Sequence, residues 1–521
     1  MTRPAEDEGL LFVFLAAGLV LLVARHLHAS RPLFLLVLGA AALLSVGLLA
    51  LLRALLGEPR PKRSPGGPGR SGWARRGELT GLLVSSAPPG RLVLGRLGRC
   101  LVAAERCQSL LVVGPSQSGK TTSLALPALL EWDGPVLATS VKGDLVKGSL
   151  AARSAVGETA LFDPTGSSGL TAAGWSPLEA ASSWAGARRL AADFASIGRL
   201  EGGMEDAGYW YAAAERLLAP LLRAVFLAGG RMPEVLALLE AEETELPLSL
   251  LSRAGEEAAA RSARAVFSLE ERQRSSIYST AHSLLAAYGD PAVAASELNT
   301  ARVDAGWLFQ APRRTLYLAA PIREQARLRP VFVALVRQVL DAAYELAAGR
   351  GRLASPLLVL LDEAANIAPL DYLDQLVATS VGHDITFLTI WQDLAQIEAR
   401  YGARWATIVN NHRAKVVYPG LSDPRSLELV SSLLGETGAE RKGRRGRLAD
   451  ETELRVPVAP VGWLRRLPAG RCLLVYGTRR PALLQLRRLG RRSEAQPAMA
   501  SLRSWVGTRR AMLTAWSPRR S

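Results

Sequence analysis

The stretch Ser109–Thr122, SLLVVGPSQSGKTT, decides how the chain is read. Its apolar run, Leu110 to Val113, stops at Gly114, and Gly119-Lys120-Thr121 follows at the spacing of a phosphate-binding P-loop. Gly114 and Gly119 permit the tight backbone path that aims successive N–H groups at an anion. The span Gly114, Pro115, Ser116, Gln117, Ser118, Gly119, Lys120, Thr121 and Thr122 is therefore assigned to nucleotide binding. Lys120 brings a point charge to the β- and γ-phosphate oxygens, and Thr121 offers its hydroxyl to Mg²⁺. The helix that the loop opens adds the positive end of its dipole.

A second half of such a site lies far downstream, in LLVLLDE, Leu357 to Glu363. Five apolar residues suit a strand buried on both faces, and the two carboxylates stand at its C-terminal end, where a parallel sheet presents its ligand crevice. Asp362 is expected to hold the Mg²⁺ shell and Glu363 to polarise the attacking water. Read alone, the run is somewhat better read as a buried strand ending in a solvated acidic turn. Read with the P-loop, it completes a site for ATP and Mg²⁺.

Working outward, 521 residues exceed one core and suggest about three domains. The three cysteines, Cys100, Cys107 and Cys472, form neither a disulfide framework nor a spaced metal pair, which points to a reducing compartment. The net charge is +16, and its location is informative: Glu440–Ser521 holds 20 Lys/Arg against 5 Asp/Glu, an excess of 15. Such an excess serves either as a solvated face or as a contact for a polyanion.

The N-terminus carries two apolar runs, Gly9 to Ala24 and Pro32 to Leu52, with Arg25, His26, His28 and Arg31 between them. The second is long enough for a bilayer of about 30 Å, and the first needs its arginine to snorkel. A cleaved signal peptide is the competing reading; Glu6-Asp7-Glu8 and the immediate second run weigh against it. The basic residues after Leu52, from Arg53 to Arg76, put that side in the cytoplasm, so a transmembrane hairpin over 1–57 in the plasma membrane is expected, with both ends inside. Residues 58–88 read as a basic flexible linker.

Beyond it, strands are expected at Ser109–Val113, Pro135–Thr139, Thr159–Phe162, Thr315–Ala319, Leu357–Leu361, Thr386–Ile390, Ala414–Tyr418 and Cys472–Tyr476. Helical patterns separate most of them, so the fold class is α/β with a doubly wound, largely parallel sheet. No strand is read between Leu178 and about Gln310. There, Leu218, Leu221, Leu222 and Val225 keep helical spacing, which suggests either an all-α domain inserted in the sheet domain or a longer arm of that domain. The expected division is 89–178 and 311–492 for the motor, 179–310 for the helical insertion and 493–521 for a basic tail.

The P-loop GPSQSGKT, SVKGDL at Ser140–Leu145, LFDP at Leu161–Pro164, WSPL at Trp175–Leu178, TLYLAAP at Thr315–Pro321, LLDEAANI at Leu360–Ile367 and ITFLTIWQDLAQIEARYG at Ile385–Gly402 occur in the order seen in the type IV coupling proteins, the TraG/TraD family, which the chain resembles from about Gly90 to Arg488. The resemblance implies a RecA-like motor carrying an inserted all-α domain and N-terminal spans. It also implies a homo-hexameric ring that receives DNA or a relaxase–DNA complex and passes it to the channel components of a type IV secretion system. By motif, Gln392 then matches the glutamine that senses the γ-phosphate; without the resemblance it reads as the cap of the following helix. The segment Ala378–Asp384, ATSVGHD, lacks the arginine that many relatives carry there, leaving Arg404 and Arg413 as candidates for a trans-acting cation. A chromosome-segregation translocase of the FtsK kind and a non-hydrolysing substrate receptor are the alternatives. His383, Cys100 and Cys107 read as packing or surface.

Overall fold

A computed structural model of the chain describes residues 72–140, 143–201, 207–438 and 455–487. The expected hairpin over 1–57, the cluster Arg441–Arg447 and the tail 493–521 lie outside them. Among the described residues no helix is long and apolar enough to cross a membrane.

The strands are β1 (Leu83–Val84), β2 (Val93–Leu97), β3 (Cys100–Ala103), β4 (Leu110–Val113), β5 (Val136–Ser140), β6 (Thr159–Phe162), β7 (Thr315–Ala319), β8 (Leu357–Leu361), β9 (Ile385–Trp391), β10 (Ala414–Val417), β11 (Glu436–Gly438), β12 (Arg455–Pro457), β13 (Arg471–Tyr476) and β14 (Ala482–Gln485). Twelve form one sheet in the order β1-β3-β2-β14-β13-β10-β4-β9-β8-β5-β7-β6, and β11 pairs with β12. From β10 to β6 every pairing is parallel. From β1 to β13, and between β13 and β10, every pairing is antiparallel. The sheet is thus a parallel half with an antiparallel wing.

The apolar runs are continuous because both faces are covered. Leu111 and Val113 of β4 and Leu357, Val359 and Leu361 of β8 join one buried cluster. Leu110 and Val112, with Leu358 and Leu360, join another. Alternate residues of one strand enter opposite cores, as the strand period requires.

Two expectations change. The linker expected over 58–88 is folded from residue 72 onward: Leu79 and Leu82 are fully buried, and Leu83 pairs with Val102 across β1 and β3. Basic and glycine residues set the composition of that stretch, but three leucines give it an apolar anchor. The wing strands β1, β2, β3 and β14 were not expected. They are short, and β2 has a register shift between Val93 and Gly95, where a Cβ on the glycine would meet the Gln485 carbonyl oxygen at a tight 3.0 Å.

Between Leu178 and Gln310 the described chain is helical: Trp184–Glu201, Ala207–Leu227, Met232–Glu240, Glu245–Arg253, Glu257–Phe267, Glu271–Leu285 and Pro291–Ser296. Leu218, Leu221, Leu222 and Val225 are all buried. Pro220 sits inside the same helix. A proline there costs about 3 kcal/mol, which four buried aliphatic side chains at about 1.5–3 kcal/mol each exceed. These residues belong to the same cluster as Leu111 and Val359, so the helices share a core with one face of the sheet. The stretch also closes on itself. Gly174 bridges Arg302, the Gly174 N–H donates to the Ala301 carbonyl at 2.6 Å, and the Ser176 hydroxyl donates to Glu297 at 3.0 Å.

Candidate active site

Strand order brings the distant motifs together. In the sheet β9 lies between β4, which feeds the P-loop, and β8, which feeds Asp362-Glu363. The end of β9 is bonded to both neighbours: the Gly114 N–H donates to the Trp391 carbonyl at 3.1 Å, and the Ala364 N–H donates to the Ile390 carbonyl at 3.1 Å. Gln392, the next residue, therefore stands between the lysine loop and the carboxylate turn.

The P-loop owes its shape to specific backbone demands. A side chain at Gly114 would put its Cβ 2.5 Å from Cβ of Tyr418, the residue after β10, and Gly119 has φ +92°, which L side chains rarely adopt. Gln117 also lies in the left-handed region, at φ +63°. Lys120 folds its ammonium onto the loop, donating to the carbonyls of Gly114 and Pro115, the latter at 2.9 Å. The Ser118 hydroxyl oxygen is buried with no hydrogen-bond partner. Ser116 and Thr122 are exposed, and Thr121 is half-buried.

The helix after the loop begins with a wide π turn, Thr121–Ala125, before Leu126–Glu131. Pro127 accounts for it, since it has no N–H to give to the carbonyl four residues back. Ser123 fastens this turn, donating to the Gly119 carbonyl at 2.7 Å and meeting the Tyr418 hydroxyl at 2.8 Å. Burial raises the Tyr418 phenol far above its ordinary value, so it stays protonated.

On the other side, Asp362 and Glu363 follow β8 directly and are half-buried. The Thr139 hydroxyl donates to the Asp362 carbonyl at 3.2 Å, tying β5 to the turn. Glu363 has φ +55°, a left-handed conformation unusual for glutamate. In the helix Leu394–Tyr401 the N-cap is Asp393, whose carboxylate accepts from the Gln396 N–H at 2.7 Å. The capping role is filled, so Gln392 is not the cap, and its side chain is half-buried. Its own N–H donates to Oε1 of Gln396 at 3.1 Å.

Behind Trp391 lies a buried chain invisible in the sequence. The Trp391 indole N–H donates to Oγ1 of Thr389 at 3.0 Å, Thr389 meets Nε2 of His412 at 3.0 Å, and Nδ1 of His412 meets the Ile408 carbonyl at 2.7 Å. Burial pushes the His412 pKa down to about 4, so the ring is neutral. The Ile408 bond then requires the proton on Nδ1, and the Thr389 hydroxyl donates to Nε2. No spacing links Thr389 to His412; the fold alone makes them neighbours.

Both candidate cations are engaged within the chain. Arg404 pairs with Asp371 at 2.6 Å and Asp374 at 3.5 Å, and it lies over the Tyr372 ring. Arg413 pairs with Glu105 at 2.9 Å. His383 packs against Tyr344, Cys100 accepts a bond from Arg76, and the Cys107 thiol, raised to about 12 by burial, contacts Asp384 at 3.3 Å. None of these groups adds to the site.

A cradle of glycine-shaped backbone, an ammonium, a hydroxyl-bearing helix start, two carboxylates and an amide at three adjacent strand ends suits a polyphosphate with a divalent cation. Known proteins share the arrangement's setting. The solved structure of the bacterial conjugative coupling protein TrwB in its unbound monoclinic form superposes with a TM-score of 0.62 at 18% identity, over 82% of this chain and 96% of that one. The TrwB complex with ADP and Mg²⁺ gives 0.60 at 18%, over 84% and 98%. By sequence, the conjugal transfer protein TraG of Escherichia coli is 26% identical over 360 residues, 63% of this chain and 55% of TraG. Protein VirD4 of Rhizobium radiobacter is 24% identical over 388 residues, 71% of this chain and 55% of VirD4. The chain thus spans about 55% of the length of these two relatives. The match to the family described as Type IV secretory system Conjugative DNA transfer runs from residue 89 to 453 and takes in both halves of the site, so the chain belongs to that family.

Proposed function

We propose that the chain is a membrane-anchored ATPase that couples ATP hydrolysis to delivery of DNA or a nucleoprotein substrate to a type IV secretion channel. The observation that carries this is the seating of Gln392 between the P-loop and Asp362-Glu363 by the order β4-β9-β8. In this reading the P-loop N–H groups and Lys120 bind the phosphates, Glu363 orients and deprotonates the attacking water, and Gln392 reads the γ-phosphate. The buried, unpartnered Ser118 hydroxyl and the ammonium resting on loop carbonyls are the groups a bound polyphosphate would engage. Thr121 and Asp362 would hold Mg²⁺. When bound, the ion neutralises charge on the β- and γ-phosphate oxygens. TrwB, solved with ADP and Mg²⁺ and with a non-hydrolysable ATP analogue, supports this choice of cofactor. A homo-hexamer is proposed as the working assembly.

DNA is proposed to be met in part by Arg441, Lys442, Arg444, Arg445 and Arg447, which come after β11 and before β12 in the sequence. Replacing all five with Gln is expected to lower DNA affinity at low salt. The plot of log affinity against log salt should also flatten, with no sequence preference, since phosphates carry none. An unchanged slope on lipid-free protein would remove these residues from the DNA path.

The anchor is assigned to the apolar runs within 1–57. A chain starting at Glu58 should move from the membrane fraction to the soluble fraction. Its retention as an integral protein would contradict the assignment.

A further inference from the structure

Glu363 is held from one side by a residue that the hydrolytic scheme does not use. The turn after Glu363 is closed twice by Asn366: its backbone N–H donates to the Glu363 carbonyl at 2.9 Å, and its side-chain amide Nδ2 donates to Oε2 of the Glu363 carboxylate at 3.3 Å. Asn366 is itself fixed, because its carbonyl accepts from Nε of Arg329 at 3.1 Å. Arg329 stands on the helix Ile322–Arg350, whose buried residues pack in the main core. The Ala364 bond to β9 fixes the turn's other edge. A glutamate in a left-handed backbone conformation is therefore pinned at backbone and side chain alike.

The chemistry of this donor matters. A carboxylate that takes a proton from water works best with one oxygen fixed and its orientation set in advance. A neutral amide can fix that oxygen without the strong loss of basicity that a cationic donor would impose. We infer that Asn366 is a positioning residue for Glu363, holding Oε2 so that the carboxylate is aimed before nucleotide arrives. The inference rests on the hydrolytic reading above.

The test is ATP turnover by the protein in detergent, comparing wild type, Lys120→Ala, Asn366→Ala and Asn366→Asp. Asn366→Ala should lower kcat by about 10- to 100-fold, the cost of a misplaced reacting group, with KM for ATP held within about twofold. Asn366→Asp keeps the size and the backbone bond but sets a second carboxylate against Glu363. That carboxylate cannot donate to Oε2, so kcat should fall at least as far as in Asn366→Ala, with KM for ATP again within about twofold. A purely structural asparagine would tolerate this near-isosteric exchange with kcat unchanged. Wild-type kcat in either variant overturns the inference alone. Wild-type turnover no greater than that of Lys120→Ala overturns the hydrolytic reading and this inference with it. Should Asn366→Ala fold poorly, the near-isosteric Asn366→Asp carries the decision.

Discussion

Lys120→Ala is expected to abolish ATP turnover while leaving the fold and any membrane association intact. The ammonium sits inside the P-loop, on the carbonyls of Gly114 and Pro115, where the β- and γ-phosphates of a nucleotide belong. Charge builds on those oxygens as the γ-phosphoryl leaves, and a preorganised cation meets it without reorganisation. Contributions of this type are worth about 2.7–4 kcal/mol, or roughly 10²- to 10³-fold in rate. The fold should survive because the loop is set by Gly114 against Tyr418, by the conformation of Gly119 and by Ser123, none of which needs the lysine. Turnover measured beside an unfolding curve checks both halves. Turnover equal to wild type in well-folded Lys120→Ala protein would remove the P-loop from the chemistry.

How much of this was legible in the sequence depended on whether the physical cause was local. The parallel strands β4, β5, β6, β7, β8, β9 and β10 were readable within a residue or two at each end, because burial in the sheet leaves short, mostly apolar runs interrupted by little more than threonine. The wing was not. Leu83–Val84 is two residues long, and Val93–Leu97 is interrupted by Gly95 and Arg96; pairing with β3 and β14 makes them strands, and pairing is not a local property. The helical stripe Leu218, Leu221, Leu222 and Val225 was visible. Its continuity with the sheet's core was not, since that is a matter of where the helix lands.

The site divides in the same way. The P-loop and Asp362-Glu363 are contiguous motifs whose spacing encodes their geometry. Gln392 was ambiguous until Asp393 proved to be the N-cap, which leaves the glutamine side chain for another task. Tyr418 under the loop and the Trp391–Thr389–His412 chain under β9 join residues far apart in sequence. Asn366, only three residues from Glu363, drew no reading of its own from the sequence; its bond to the carboxylate appears only once the left-handed backbone at Glu363 folds the turn back.

The most direct test of a hydrolytic centre at these three strand ends is nucleotide affinity measured beside turnover in Glu363→Gln. The amide keeps the size of the side chain but cannot accept the water's proton. The phosphate cradle on β4, the hydroxyl of Thr121 and the carboxylate of Asp362 are untouched. Binding and chemistry should therefore separate: affinity for Mg²⁺–ATP at or above the wild-type level, turnover lower by about 10²- to 10⁴-fold, the usual span for losing a general base. ATP rather than ADP should be recovered from the trapped protein. A parallel loss of affinity and turnover would make Glu363 a structural residue, and turnover near the wild-type rate would place the hydrolytic carboxylate elsewhere.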